Sequence, residues 1–176
     1  MKLRVTLTAL LLSAVGILFA ADPAPDRVPF PADYAEKYQS IRVANKTAKT
    51  LLGTIYANDK AASVQDLTGL PYPNGSVIVM EWAQPLKDEK GVLLVDANGL
   101  WRKGPVVRVD VMRRETGYGE SYGDKRSGEW EYASYGPDGS LLQPLDAAAS
   151  CAECHRGATA ERDFVFQGRF PPLAKK

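Results

Sequence analysis

Two cysteines and one histidine fall within five residues near the end of a 176-residue chain, in Cys151-Ala152-Glu153-Cys154-His155. The sequence holds no other thiol and no other imidazole. The spacing C-x-x-C-H is the attachment signature of a c-type haem. Each thiol adds across one vinyl group of the porphyrin, and the histidine that follows lies beneath the ring as proximal ligand of the iron. Competing uses of these residues fit less well. A structural zinc site takes four ligands and this stretch supplies three. A thioredoxin-like redox pair calls for a βαβ setting, which the chain lacks. A local disulfide between residues three apart stays open but is uncommon.

The N-terminus points the same way. Met1-Lys2-Leu3-Arg4 is a short basic region, and an apolar run from Val5 to Ala21 follows it, ending in small residues before a proline-rich stretch. This is the layout of a secretory signal peptide over residues 1–21. Export to the periplasm suits haem c, whose thiols meet haem outside the cytoplasm. The mature chain, residues 22–176, has the length of a single domain. Loss of Lys2 and Arg4 moves the formal charge from +1 to slightly negative. That balance gives no support for nucleic acid as a partner. No second apolar run is long enough to span a membrane.

The elements that must position the motif are mostly strands. Asp22 to Pro31 reads as an extended lead-in, and Ala32 to about Ser40 as a short helix with Tyr34, Tyr38 and Ile41 on one face. Thr50–Ala57, Ser76–Trp82, Val106–Met112 and Glu129–Tyr135 have the β-branched and aromatic content of strands. Asn98-Gly99, between Val92–Val95 and Leu100-Trp101, is a hairpin signal. A short helix is expected over Asp59–Leu67, and the alanine-rich Leu145–Cys154 should be the helix that delivers the haem motif. The predicted fold is α+β, mainly antiparallel β-sheet with a few short helices and a C-terminal haem-attachment helix.

With these residues in view, the chain resembles the cytochrome P-460 group, which includes the mostly-β cytochromes c′-beta. The resemblance runs from about Phe30 to Pro171 and rests on FPADY, PNGSVIVMEW, GEWEY, CAECH and DFVFQGRFP. It implies an antiparallel β fold with peripheral helices, often a homodimer, and one covalent haem with a histidine ligand. The hydroxylamine-oxidising members read like VIVKE after the turn, and their lysine is cross-linked to the haem. Here the stretch is Val77-Ile78-Val79-Met80-Glu81, so methionine stands where that lysine would be. Lys87, Lys90 and Lys103 are nearby, but none is at the matching position.

A thioether is a good ligand for haem iron, and Met/His ligation suits electron transfer. Strand alternation sets Ile78, Met80 and Trp82 on one apolar face. Met80 is therefore the candidate distal ligand, with core filling as its ordinary alternative; Met112 is weaker, sharing a face with Arg108 and Asp110. Three functions follow. The first is an electron-transfer cytochrome with His155/Met80 ligation and small redox-protein partners. The second is a five-coordinate protein that binds a small gas such as nitric oxide. The third is a hydroxylamine-oxidising enzyme, disfavoured by the missing lysine. Phe30 or Tyr56 are candidate distal groups. Arg108, Arg113 and Arg114 are candidate propionate contacts, with a solvated strand face as the alternative. Glu81, Asp110 and Glu115 are candidate proton acceptors. Asn45-Lys46-Thr47 and Asn74-Gly75-Ser76 match the glycosylation sequon and read as chance and as a turn.

Overall fold

The computed structural model describes residues 27–143 and 147–166. The expected leader and the start of the expected C-terminal helix lie outside them. One antiparallel five-stranded sheet, with its strands in chain order, carries the molecule. The strands are β1 (Gln39–Lys46), β2 (Leu51–Ala57), β3 (Val77–Pro85), β4 (Lys103–Arg114) and β5 (Trp130–Tyr135). The helices are α1 (Tyr34–Lys37), α2 (Asp59–Ala62) and α3 (Ala148–His155), with short 3-10 segments elsewhere in the chain. No helix among the described residues is long and apolar enough to cross a membrane.

The strands expected from β-branched content are all present, and β4 extends at both ends beyond its predicted range. Two expectations are corrected. The first helix stops at Lys37, and the chain from Gln39 pairs with β2 instead, with a bulge between Ser40 and Arg42. Backbone pairing to a strong neighbour overrides the weak local pattern. The second helix is one turn, Asp59–Ala62, with a separate 3-10 turn at Leu67–Gly69. The hairpin at Asn98-Gly99 forms as a tight turn closed by a Val95–Trp101 bridge.

Because side chains alternate across a strand, register sorts the residues into two layers. One face carries Val79, Val109, Val111 and Ala133 and is covered by the N-terminal segment through Val28, Phe30 and Tyr34. Burying each such apolar side chain is worth roughly 1.5–3 kcal/mol. Glu81 is buried in this layer at 2% exposure, held by the Tyr34 hydroxyl at 2.7 Å and the Lys103 ammonium at 2.7 Å. The other face carries Ile55, Ile78, Met112 and Tyr132, and α3 packs over its β5 side through Ala148 and Ala152. Asn58 ties α2 to this layer: its amide oxygen caps Ala61 N–H and also accepts Val77 N–H, both at 3.0 Å.

Candidate haem site

Between α3 and the sheet lies a cavity of about 700 Å³, within the range of cofactor-sized sites. Cys151, Cys154 and His155 all line it. At spacings of three and four residues on α3 they share one helix face. Both cysteines are free thiols, Cys151 half-buried and Cys154 exposed. Burial pushes the Cys151 thiol up. The His155 ring rests on Tyr132, with centroids 4.8 Å apart, and meets Phe166 edge-on at 5.3 Å.

The tautomer of His155 follows from its partner. Its Nδ1 lies 2.8 Å from the Phe164 carbonyl oxygen, which can only accept, so Nδ1 carries the hydrogen. Nε2 keeps its lone pair. Burial lowers the imidazole's proton affinity and favours this neutral form. A metal-binding histidine has this arrangement, with its second nitrogen bonded to a backbone acceptor. Among the described residues no group of three or more His, Cys, Asp or Glu side chains converges to hold a bare ion. Two free thiols and a lone-pair imidazole facing one largely apolar cavity fit a covalently tethered haem.

The far wall is the sheet. Ile55, Met80, Asp110 and Ser134 form one cross-strand row, and Ile78, Met112 and Tyr132 form the next. Met80 thus stands two strands across and two residues along from Tyr132, about 12 Å between Cα atoms at normal strand spacing and rise. Its methyl turns away from β5, to 3.2 Å from where a Cβ on Gly53 would sit. Lys46 reaches the same spot from β1, with Cε also at 3.2 Å. Gly53 is what leaves room for both.

The wall is less apolar than strand alternation suggests. Asp110 accepts from Trp82 Nε1 at 2.7 Å, from Arg108 Nε at 2.6 Å and from Ser134 Oγ at 2.5 Å. Arg108 also donates to Ser134 Oγ at 3.0 Å. The Arg108/Asp110 face of β4 points into the cavity because Val109 and Val111 fill the opposite layer. Its charges satisfy one another. Of the candidate proton acceptors, only Asp110 lines the cavity; Glu81 is in the opposite layer and Glu115 pairs with Arg113.

Other candidates are also relocated. Phe30 and Tyr56 pack in the layer on the far side of the sheet, around Tyr34. Arg114 bonds Asn74 and Glu129 and pairs with Asp163, away from the cavity. Lys46 and the Phe164 carbonyl were not signalled by the sequence; only recognition of β1 and of the tail loop's backbone would have found them.

A family model described as Cytochrome P460 matches residues 31–167, most of the chain. The chain belongs to the cytochrome P460 family. Membership implies a haem cofactor with iron, and the match spans both β3 and the CAECH motif. A search of curated proteins returns no match.

Proposed function

We propose that this member of the cytochrome P460 family is an exported mono-haem c protein that binds a small gas such as nitric oxide. Cys151 and Cys154 are its covalent anchors, and His155 is the one axial ligand from the chain. When bound, the haem would supply an iron that can take a small gas ligand, with His155 holding it from the chain. The observation that carries this reading is the placement of Met80. Met80 lies two strands across and two residues along from Tyr132, on which His155 rests, and its methyl is turned to Gly53 on β2, away from β5. Ile55, Ile78 and Met80 make an apolar stretch of the wall. Asp110, with Trp82 and Ser134, offers a polar group at its edge.

The second reading, His155/Met80 ligation and electron transfer to a small redox protein, draws on the fact that Met80 lines the same cavity as His155. Absorption spectra of ferric and ferrous holoprotein, with and without Met80→Ala, separate the two. A high-spin spectrum unchanged by the substitution, with rapid binding of nitric oxide, supports the open site. A low-spin spectrum with a thioether band lost in the variant overturns it in favour of electron transfer.

A further inference from the structure

Among the cations of the cavity wall, Arg108 is already engaged by Asp110 and Ser134. The Lys46 ammonium has no hydrogen bond or ion pair among the described residues. It is half-buried, and its stem lies on Gly53 beside the Met80 methyl instead of extending into water. The charges that act on it are those of Arg42 and Lys49, both of its own sign. The Lys49 ammonium sits 5.0 Å above the Trp82 ring, itself part of the wall. Lys46 is thus the cavity-lining cation on β1, with Arg42 and Lys49 acting on it from beyond the lining. Self-repulsion at a half-buried site is unfavourable unless an anion arrives to offset it.

The porphyrin itself carries the matching chemistry. Its vinyl groups, the ones a C-x-x-C-H motif captures, occupy one half of the ring, and two propionate carboxylates occupy the other. Cys151 and Cys154 lie on α3, over β5. Lys46 lies toward the opposite edge of the sheet, over β2. We infer that Lys46, flanked by Arg42 and Lys49, is the binding site for a haem propionate carboxylate. The inference rests on covalent haem attachment at Cys151 and Cys154. It replaces Arg113 and Arg114, which the fold directs elsewhere, as the propionate contacts. Lys46 is a positioning residue: its ammonium would hold the carboxylate edge, and its positive charge would favour the ferrous form.

The test uses holoprotein with haem carrying ¹³C at the propionate carboxyls, as wild type, Lys46→Gln and Lys46→Arg. Covalent haem is counted by mass, the reduction potential is taken by spectroelectrochemistry, and the labelled carboxylate bands are read by infrared difference between oxidation states. The expected result is a lower potential and a shifted carboxylate band in Lys46→Gln, with both restored in Lys46→Arg. A Lys46→Gln holoprotein with wild-type potential and bands overturns the inference. If Lys46→Gln fails to load haem, loading by Lys46→Arg supports the charge role, and failure of both variants overturns it. A wild-type chain that takes up no covalent haem overturns the attachment reading itself, a separate outcome.

Discussion

Met80 and Asp110 face each other directly across β3 and β4, so a thioether and a carboxylate share one row of the cavity wall. Asp110 is saturated by Trp82, Arg108 and Ser134, and it stitches three positions on β3, β4 and β5. Replacing it with leucine would strand the indole N–H and the Ser134 hydroxyl. Loss of about 1–3 kcal/mol is expected for Asp110→Leu, since buried donors left unpaired carry that cost. Asp110→Asn should lose less. Urea unfolding of the two variants measures this; an Asp110→Leu chain as stable as wild type would mean that the carboxylate is not a structural lock.

Gly53 predicts a steric threshold. Alanine there would touch only the ends of Lys46 and Met80, both flexible, at 3.2 Å. Leucine would project into the cavity. Gly53→Ala should load haem as wild type does, whereas Gly53→Leu should fold but lose most covalent haem, as counted by mass. Equal loading in Gly53→Leu would show that the haem does not use this part of the cavity.

Glu131 supplies a pH prediction. It is fully buried, with Gly119 N–H and the Arg27 guanidinium both on Oε1, at 3.1 and 3.0 Å. Burial raises its pKa despite these partners. The folded state therefore binds the proton more tightly than the unfolded chain. The resulting stabilisation is complete below the unfolded carboxylate range and is lost as pH rises through the raised value. Glu131→Gln should accordingly compare better with wild type at pH 7 than at pH 4 in urea titrations. A difference independent of pH would contradict the raised value.

Asn58 joins α2 to the start of β3 with three hydrogen bonds, to Ala61 N–H, Val77 N–H and the Gly75 carbonyl. Asn58→Ala removes a helix cap and a strand anchor together. A loss of about 1–2 kcal/mol is expected. Circular dichroism melts can check it, with Lys60→Ala, an exposed neighbour bonded to the Asn74 carbonyl, as the milder comparison.

How much of this could be read beforehand differs by feature. CAECH was legible because its three side chains are close in sequence and helical spacing puts them on one face. β2, β3, β4 and β5 were legible because they are rich in β-branched and aromatic residues. β1 was not: QSIRVANK is half polar, an edge strand whose partner decides it. With β1 missed, Lys46 was missed too. The Trp82–Asp110–Ser134 group depends on register across three strands, which no single segment encodes. Phe30 and Tyr56 were assigned to the wrong side, although for Tyr56 the parity with Ile55 already held the answer. Met80, whose neighbours alternate cleanly, was put on the correct wall.

The acceptor for His155 is not part of the helix that carries the ring. Phe164 and Asp163 have positive φ angles of 61° and 46°, and Thr159 has one of 66°. Such conformations cost about 1–3 kcal/mol each in residues with side chains and persist only where surroundings enforce them. The enforcement is visible: the Asp163 carboxylate takes Tyr72 N–H at 2.9 Å and Arg114 at 3.2 Å, and its carbonyl takes Trp130 Nε1 at 2.9 Å. The bearing of the imidazole is therefore set in part by a chain segment about 80 positions upstream of the attachment motif. A peptide cut to the motif alone would keep both anchors and the ring, but nothing in it would steer the ring.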